Sequence, residues 1–375
     1  MKVHMKRRVA LIHYWLVGMR GGERVLERIA RLYPDADIFT HVVDPRAISP
    51  ELAAREIKTS FIAKLPRATR MYQSYLPLMP MALEQLDLRG YDLVISSESG
   101  PAKGVIAPPD ALHVCYCHSP MRYLWDHYHP YRESAGKLSR TMMPVLCHYL
   151  RNWDATSSRR VDSFMANSRF IQHRIKRAWG AESDVVHPPV PVDLYHRAQE
   201  VTPRYLWVGQ LIPYKRPDLA VDAFTRLGLP LLVVGDGDLA PDLRKRAGPN
   251  IEFVTKLPFD ELRRCYAESR ALVFTAEEDF GIVPVEANAA GRPVIAYGRG
   301  GVLDSIVKER TGLFFREQSV EALIDAIERF EAWLPQFDPA EAMDNVRRFA
   351  PEQFDRGFLA AVDRAWAGKS AVMPA

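Results

Sequence analysis

Short apolar runs alternate with longer helical patterns along most of this chain. A parallel sheet is covered by helices on both faces, so its strands are nearly continuous apolar runs joined by helical connections. The first series of predicted strands comprises residues 9–14, 38–43, 92–96, 112–117, 163–166 and 184–187. The second series comprises residues 204–208, 229–234, 251–254, 271–275 and 293–296. The alternation therefore predicts an α/β protein with two doubly wound sheets.

A proline-rich passage separates the two series. Residues 188–193 read PPVPVD, a stiff sequence with little tendency to form helix or strand. We expect an N-terminal Rossmann-like domain at residues 1–190 and a C-terminal Rossmann-like domain at residues 191–350. Residues 351–375 carry a helical pattern without a further strand.

The composition favours a soluble, cytoplasmic protein. At 375 residues with 47% hydrophobic content, the chain can bury more than one core. No apolar run approaches the roughly 20 residues of a membrane span, and residues 1–14 fit a first strand better than a signal peptide. The four cysteines are too few and too irregular for a disulfide framework. A net charge of +4 is too small for a dedicated nucleic-acid binder, so we expect no nucleic-acid partner.

Basic residues of the first half are interleaved with large apolar ones. The basic positions are Lys58, Lys64, Arg67 and Arg70, and then Arg151, Arg159, Arg160, Arg169, Arg174, Lys176 and Arg177. The apolar positions are Leu65, Met71, Tyr72, Tyr75, Leu76, Met79 and Met81. Such a surface can rest on anionic lipid, where each Lys or Arg contributes about 1 kcal/mol. The alternative is a solvated face beside ordinary core.

Two carboxylates, Glu278 and Glu286, flank a predicted strand-to-helix turn in the sequence EDFGIVPVE. The predicted helix starts near Ile282, so Glu278 lies before it and Glu286 about one turn inside. The N–H groups of residues 280–283 would have no helical acceptor, which favours an anion or a polyol at this position. The alternative is a chance pair of glutamates beside a solvated helix.

Each predicted domain opens with a strand that ends in a glycine-containing loop. In the first domain this loop contains Gly21 and Gly22, and a helix is predicted from about Glu23. In the second domain the loop reads GQLIPYKR at residues 209–216. Glycine lets a phosphate or sugar approach the backbone at a helix N-terminus, although a tight turn alone would also explain it. Neither loop has the G-x-G-x-x-G pattern, which argues against a nicotinamide cofactor.

Two segments contain candidate metal ligands. Strand alternation places His113, Cys115 and Cys117 on one face, and no second C-x-x-C element completes a tetrahedral set. The triplet at Asp236 and Asp238 fits a glycine turn after a strand as well as a metal site. We therefore predict no metal. His118, at the end of its strand, is either a structural histidine or a site residue.

The spacing of Glu278 and Glu286 resembles the E-x7-E signature of retaining GT-B glycosyltransferases of family 4, also called group 1. Residues 209–215 are similar to the G-R-x-x-x-x-K segment of that family, with Lys215 at the lysine and Gln210 in place of the arginine. Residues 118–126 look like the acceptor-side segment of GDP-mannose-dependent mannosyltransferases of the O-antigen and exopolysaccharide type. Further similarity lies at residues 166–168, 187–190, 233–237 and 298–301.

The resemblance implies a GT-B fold, with two doubly wound Rossmann-like domains facing across a cleft and residues 351–375 crossing back to the first domain. It implies that Glu286 accepts ribose hydroxyls, Glu278 binds hexose hydroxyls, and Lys215 balances charge on the leaving diphosphate. The donor-binding residues would be Gly21, Gly22, Gly209, Gln210, Lys215, Arg216, Leu257, Glu278, Phe280, Gly281, Ile282, Val283 and Glu286.

His118, Lys215 and Glu278 would be the catalytic residues, with Arg122 and Tyr123 on the acceptor side. Family membership further implies retention at the anomeric carbon without a metal or other cofactor. The expected donor is GDP-mannose, and the expected acceptor is a polyprenyl-diphosphate-linked saccharide. Such an enzyme would lie peripherally on the inner face of the plasma membrane. The alternatives are a UDP-sugar-dependent transferase and a non-catalytic nucleotide-sugar-binding protein.

Overall fold

The computed structural model describes residues 7–372. Residues 1–6, the first part of the segment compared with a signal peptide, and residues 373–375, the end of the last predicted helical segment, lie outside the described residues. The chain divides into two compact units. The N-terminal unit runs to Pro188 and also includes the residues from Phe354 onward, and the C-terminal unit is Pro189–Gln353.

Each unit contains one parallel sheet. The strands of the N-terminal unit are β1 (Val9–His13), β2 (Asp37–Thr40), β3 (Ile57–Thr59), β4 (Leu93–Glu98), β5 (Leu112–Cys117), β6 (Ser163–Ala166) and β7 (Ser183–Val185). Those of the C-terminal unit are β8 (Tyr205–Val208), β9 (Leu231–Val234), β10 (Ile251–Val254), β11 (Leu272–Phe274), β12 (Val294–Tyr297) and β13 (Gly312–Phe315). The strand orders are β3-β2-β1-β4-β5-β6-β7 and β10-β9-β8-β11-β12-β13. The prediction of two doubly wound α/β sheets is confirmed.

Helices connect the strands. In the N-terminal unit they are α1 (Gly21–Leu32), α2 (Pro50–Ala53), α3 (Ala68–Met71), α4 (Met79–Glu84), α5 (Tyr128–Ser134), α6 (Lys137–Ser157) and α7 (Arg169–Trp179). The C-terminal unit has α8 (Pro217–Leu227), α9 (Ala240–Arg246), α10 (Phe259–Glu268), α11 (Ile282–Ala289), α12 (Val302–Ser305), α13 (Val320–Trp333) and α14 (Pro339–Asn345). The last helix is α15 (Pro351–Val372). Within residues 7–372, no helix combines the length and the apolar composition that a membrane span requires.

The last helix packs on the N-terminal unit. Phe354 and Phe358 are buried in the same core as Tyr116 of β5, with ring centroids 5.6 and 6.3 Å from the tyrosine ring. Arg28 of α1 donates a hydrogen bond of 2.7 Å to Asp355. Through these contacts α15 buries apolar side chains in the core of the N-terminal unit, although most of that unit lies much earlier in the chain.

The predicted strands are all present, with ends shifted by three residues or fewer. Two strands, β3 and β13, were not predicted, and both lie at the edge of their sheet. Edge strands are often short and polar, which weakens the apolar signal that identifies a buried strand. β3 has only three residues and includes Lys58, while β13 begins with Gly312. Helix α1 begins at Gly21, two residues before the predicted start near Glu23.

Candidate active site

The loop between β11 and α11 places Glu278 and Glu286 as predicted relative to the helix. Gly281 precedes the helix with a φ of +85°, a left-handed conformation that disfavours any other residue. The helix then begins at Ile282, so Ile282 and Val283 of the predicted residues 280–283 lie in its first turn. Phe280 is buried and packs on Phe349, with ring centroids 5.3 Å apart. The loop is therefore anchored by its apolar residue.

Lys215 and Glu278 meet in an ion pair. Lys215 Nζ lies 2.8 Å from Glu278 Oε1, and both side chains are about one-fifth exposed. The Lys215 carbonyl accepts a 2.8 Å hydrogen bond from Thr275 Oγ1, which in turn accepts one of 3.0 Å from Trp207 Nε1. Two of the predicted catalytic residues thus come together at the carboxyl end of the C-terminal sheet, and buried groups fix the lysine loop there.

Glu286 is buried on α11, where it meets a residue that the sequence did not reveal. Its Oε2 accepts a hydrogen bond of 2.8 Å from Tyr266 Oη of α10. Only 7% of Glu286 is exposed, so this partner offsets part of the cost of burying a carboxylate. Tyr266 occupies an apolar position of an amphipathic helix, and its sequence pattern is that of an ordinary core residue.

Glycines bring two pairs of loops of the C-terminal unit into close contact. A Cβ at Gly300 would lie 2.5 Å from the Glu278 carbonyl, and the Gly301 N–H donates a 2.8 Å hydrogen bond to that carbonyl. A Cβ at Gly235 would overlap the Gly209 carbonyl. Side chains at these positions would push apart the loops that carry Lys215 and Glu278.

The Asp236–Asp238 triplet forms such a glycine turn. Both aspartates are exposed, and Asp236 Oδ1 accepts a 2.9 Å hydrogen bond from the N–H of Gly237. A Cβ at Gly237 would lie 2.5 Å from the carbonyl of Leu211. Among residues 7–372, no group of three or more His, Cys, Asp or Glu side chains is arranged to hold a metal ion.

Three other predicted donor-site residues, Gln210, Leu257 and Arg216, differ from one another in exposure and in contacts. Gln210 is exposed, and Leu257 is half-buried beside the apolar core of the unit. Arg216 has a left-handed φ of +52° and donates hydrogen bonds of 2.9–3.1 Å to Asp218 in the first turn of α8. Arg216 could replace the missing family arginine at Gln210 only by giving up this local ion pair.

In the N-terminal unit, His118 follows β5 and is half-buried. Its Nε2 lies 2.9 Å from Ser97 Oγ of β4, and the same oxygen lies 3.0 Å from His13 Nδ1 of β1. His13 and Ser97 are opposite each other in the parallel pairing of β1 with β4, and both are fully buried. The carboxyl ends of three adjacent strands therefore form one hydrogen-bonded group.

Glu23 adds a carboxylate to this group. Its Oε1 lies 3.9 Å from His13 Nε2, and its Oε2 accepts a 2.9 Å hydrogen bond from the N–H of Arg20 before α1. Burial raises the pKa of Glu23, but the nearby His13 ring and the backbone hydrogen bonds outweigh it, so the pKa lies below its ordinary value. Gly22 adjoins this group, and a Cβ there would lie 3.7 Å from His118 Nε2 and overlap the hydroxyl of Tyr14.

The segment after His118 is anchored by buried polar groups. Arg174 of α7 donates a 2.8 Å hydrogen bond to Ser119 Oγ and also binds Asp126. Trp125 Nε1 donates a 2.8 Å bond to Asp154 of α6. Arg122 and Tyr123, the predicted acceptor-side residues, are half-buried between these anchors.

A fully buried ionic triad lies beneath that segment. Lys103 Nζ lies 3.3 Å from Glu98 Oε1 and also binds Asp154, and none of the three side chains is exposed. Glu98 Oε2 accepts backbone hydrogen bonds of 2.8 and 2.7 Å from Ala102 and Lys103. Burial raises the pKa of Glu98, although Lys103 opposes that shift.

The structure corrects part of the predicted basic and apolar surface. Arg174 is only 8% exposed and makes the buried contacts described above, so it is not available to a membrane. Met79 is fully buried, and Tyr72, Tyr75 and Leu76 pack on the core around it. Arg174 and Met79 are therefore too deeply buried to contact lipid, whereas Tyr72, Tyr75 and Leu76 are half-buried.

Ser97, His13, Glu23 and Tyr266 are the polar partners that sequence reasoning missed. The available signal was a polar residue at the end of an apolar strand, which describes His13, Ser97 and His118 alike. That signal becomes informative only with the strand order, because β1 and β4 are far apart in the chain.

Two family models match this chain. The model described as Glycosyltransferase Family 4 matches residues 19–194, and the model described as Glycosyl transferases group 1 matches residues 202–332. Together they cover most of both units. The chain belongs to the family 4, group 1 glycosyltransferases and has their GT-B fold of two parallel-sheet α/β domains.

Individual relatives are more distant. D-inositol 3-phosphate glycosyltransferase of Mycobacteroides abscessus is 32% identical over 178 residues, which are 41% of this chain and 40% of the relative. The human GDP-Man:Man(3)GlcNAc(2)-PP-Dol alpha-1,2-mannosyltransferase is 28% identical over 238 residues, which are 54% of this chain and 48% of the relative. The chain thus spans less than half the length of these two relatives.

Among solved structures, HepE of Anabaena in complex with UDP-glucose is similar with a TM-score of 0.69 and 16% identity, over 96% of this chain and 100% of HepE. At this identity the likeness shows the fold alone.

Proposed function

We propose that this protein is a retaining α-mannosyltransferase that moves mannose from GDP-mannose to a polyprenyl-diphosphate-linked saccharide in polysaccharide biosynthesis. The observation that carries the proposal is the half-buried pair of Lys215 and Glu278 beside the start of α11, with Glu286 buried on that helix. A cation, the N–H groups at the start of a helix and two carboxylates suit a ligand with a diphosphate and a sugar on each side. The name of the human relative, which combines GDP-mannose with a dolichol-diphosphate acceptor, supports the choice of substrates.

In this proposal the C-terminal unit holds the donor. Glu286 accepts the ribose hydroxyls through Oε1, because Tyr266 holds Oε2. Lys215 and the N–H groups at the start of α11 stabilise negative charge on the diphosphate, and Glu278 binds hexose hydroxyls. Gly209 and Gln210 border the diphosphate, and Leu257 borders the base.

The proposed reaction needs no enzymatic nucleophile. The bond between the anomeric carbon and the β-phosphate oxygen breaks, and an acceptor hydroxyl forms the new bond on the same face of the sugar. The acceptor proton passes to the departing phosphate oxygen, and GDP leaves. Catalysis then rests on positioning and on the stabilisation of the leaving diphosphate by Lys215 and the helix N-terminus, without a metal ion.

The experiment is a donor panel. Release of GDP or UDP is measured from GDP-mannose and from several UDP-hexoses, with and without a short-chain polyprenyl-diphosphate-linked saccharide, in buffer containing EDTA. We expect acceptor-dependent release of GDP from GDP-mannose and an α-linked product by NMR. Turnover of a UDP-sugar would instead favour the UDP-dependent transferase, for which the UDP-glucose complex of HepE is a precedent in fold only. Nucleotide-sugar binding without turnover would favour a non-catalytic binding protein, and loss of turnover in EDTA would contradict the metal-free mechanism.

A lipid-linked acceptor requires the protein to reach a membrane, and we propose that the N-terminal unit rests on the anionic inner face of the plasma membrane. Lys64, Arg67 and Arg70 are exposed, and near them in the chain Met71 and Met81 are 42% and 48% exposed. Cationic groups beside exposed apolar side chains match the charge and the hydrocarbon of such a surface.

Helix α6 adds a second apolar surface. Its exposed apolar residues are spaced by four, three and four positions, which places them on one face of the helix: Leu138 (80% exposed), Met142 (56%), Val145 (72%) and Tyr149 (49%). The single carboxylate between residues 137 and 160 is Asp154, which is buried. This face therefore carries no exposed negative charge that anionic lipid would repel.

Vesicle sedimentation tests the membrane surface. We expect binding to phosphatidylglycerol vesicles that weakens as salt is added, because screening shortens to about 8 Å near physiological ionic strength. Leu138→Ser with Val145→Ser should weaken binding, whereas Leu303→Ser, at a 53% exposed leucine of the C-terminal unit, should not. Equal binding to neutral phosphatidylcholine vesicles would contradict the proposal.

A further inference from the structure

Arg292, which follows α11 in the C-terminal unit, is a buried cation without a carboxylate partner. It is only 5% exposed, and its Nε has no hydrogen-bond partner among residues 7–372. Burial and the like charge of Arg197 lower the pKa of Arg292, and no carboxylate within that range raises it. A guanidinium nevertheless keeps its proton in a protein, so the charge remains. Because buried charges are normally paired, this one marks a place where an anion would be stabilised.

Arg197 brings a second cation to the same place. Gly291 has a left-handed φ of +68°, and a Cβ there would lie 3.6 Å from the Cβ of Arg197. The same Cβ would lie 3.4 Å from Pro339 and 3.5 Å from Met343, so Arg197 and α14 pack over the turn that ends α11. Arg197 itself is exposed, so an anion can approach Arg292 from the side of Arg197.

The end of α11 does not neutralise these two charges. The N–H groups of Gly291 and Arg292 donate hydrogen bonds of 2.9 Å to the carbonyls of Asn288 and Ala287, which closes the helix. A helix C-terminus carries about half a negative charge, and this turn already uses two of its carbonyl groups. Since two arginines contribute two positive charges, a net positive charge remains.

We propose that Arg197 and Arg292 form a binding site for a phosphate group, separate from the donor site. A guanidinium can donate two parallel hydrogen bonds to phosphate oxygens. Two cations are also neutralised by the two charges of hydrogen phosphate, whereas a carboxylate would neutralise one.

The position of the arginines in the fold separates this site from the donor site. Arg292 lies two residues before β12, at the amino ends of the parallel strands, whereas Lys215 lies in the loop that follows β8, at their carboxyl ends. Helix α11 has eight residues and is about 12 Å long, with Gly281 before its first turn and Arg292 after its last. The inference therefore does not rest on the proposed donor or reaction.

Charge reversal at Arg197 tests the site through stability. Arg197→Glu brings a carboxylate to Arg292, so in phosphate-free buffer we expect a higher urea midpoint than for the wild-type protein. Inorganic phosphate at constant ionic strength should raise the midpoint of the wild-type protein, because a ligand of the folded state stabilises it. Phosphate should raise the midpoint of Arg197→Glu less. Arg264→Glu, at another exposed arginine of the C-terminal unit, has the same change in charge and should keep the wild-type response, including the general salting effect of phosphate.

NMR of the arginine Nε–H groups locates the anion. The signal of Arg292, assigned with Arg292→Lys, should shift as phosphate is added at constant ionic strength. Arg197→Met should raise the dissociation constant of phosphate roughly tenfold, as expected for the loss of one hydrogen bond to a charged group. Lys215→Met removes the cation of the proposed donor site and should leave the shift of the Arg292 signal unchanged.

Glycerol 3-phosphate is the second probe, because a phosphate group can be free or part of a larger molecule such as a lipid. Tighter binding of glycerol 3-phosphate would support the site and identify the larger molecule as its ligand, and tighter binding of inorganic phosphate would support the site and identify the free ion. If neither probe moves the Arg292 signal, or if phosphate stabilises Arg197→Glu as much as Arg264→Glu, the inference is overturned. If phosphate binds as expected but no donor of the panel is turned over, the proposed function fails and the phosphate site stands.

Discussion

The two units hold polar groups at the carboxyl edges of their sheets in opposite ways. In the N-terminal unit, His13, Ser97 and Glu23 are almost fully buried and are held by contacts within the fold. In the C-terminal unit, Lys215 and Glu278 are charged, about one-fifth exposed, and paired with each other. A buried network is organised before any ligand arrives, whereas a partly exposed ion pair can exchange its partner for a ligand. We therefore expect substitutions in the first unit to change stability or orientation, and those in the second to change donor binding and turnover.

The largest effect should come from breaking the buried triad of the N-terminal unit. Asp154→Ala leaves Lys103 with one carboxylate, and it also removes the acceptor of 2.8 Å hydrogen bonds from Trp125 and Trp179. Loss of one partner of a buried ionic cluster costs about 3–5 kcal/mol, because here Lys103 loses one of its two carboxylates and two indole N–H groups lose their acceptor. Urea unfolding followed by tryptophan fluorescence measures the change. Arg226→Ala, which breaks an exposed ion pair with Glu321, is the control and should leave the midpoint nearly unchanged. A similar midpoint for both variants would contradict this view of the triad.

A loss of turnover should follow removal of the lysine in the C-terminal unit. Lys215→Met removes the cation proposed to stabilise the leaving diphosphate, and we expect kcat to fall about 10²- to 10³-fold. Lys245→Met, at a 78% exposed lysine of the same unit, controls for a change in total charge. Steady-state transfer and thermal unfolding are compared for both variants. Equal rates would show that another group stabilises the diphosphate.

Acid should destabilise the N-terminal unit through two buried histidines. Burial lowers the pKa of His41 and of His113 from 6.5 to about 4. Since the unfolded chain binds these protons below pH 6.5 and the folded unit does so only near pH 4, stability falls as the pH drops through this window. Between pH 7 and pH 5 we expect a loss of about 1–2 kcal/mol for each histidine.

Hydrogen exchange resolved by unit is the measurement for acid destabilisation. The described part of the C-terminal unit has one histidine, His196, which is exposed, so its protection should change less with pH. His113→Gln should flatten the pH dependence of the N-terminal unit. Equal loss of protection in both units would contradict the assignment.

A smaller effect is expected at Gln210. This exposed residue stands where the family arginine is expected, so Gln210→Arg should add a charge-assisted hydrogen bond to the diphosphate. We expect donor affinity or kcat to rise by roughly two- to tenfold, since such a bond is about twice as strong as a neutral one. Donor titration and transfer assays measure both. A normally folded variant without gain would indicate that Arg216 leaves Asp218 and supplies the charge.

The parts of the molecule that depend on local sequence were predictable. The strands were found because each is a short apolar run, and the start of α11 was found because Gly281 separates a strand from a helical pattern. The contacts of Ser97 with His13 and His118 were not predictable, because they depend on the order β1-β4-β5, which no local pattern encodes. Tyr266 was missed for a related reason, since an apolar helical position does not show that its hydroxyl meets Glu286.

The central claim is that Glu286 of the C-terminal unit binds the ribose of a nucleotide sugar and that Glu278 binds its hexose. Calorimetric titration of GDP into the wild-type protein, Glu286→Ala and Glu278→Ala tests it most directly. Glu286→Ala should weaken the binding of GDP, because the ribose loses its acceptor. Tyr266→Phe should weaken GDP binding to a smaller degree. Glu278→Ala should leave GDP affinity unchanged or increase it, because Lys215 is released to the diphosphate. The assignment of the donor site is wrong if GDP binds equally well to the wild-type protein and to folded Glu286→Ala. It is also wrong if Glu278→Ala weakens GDP binding as much as Glu286→Ala does.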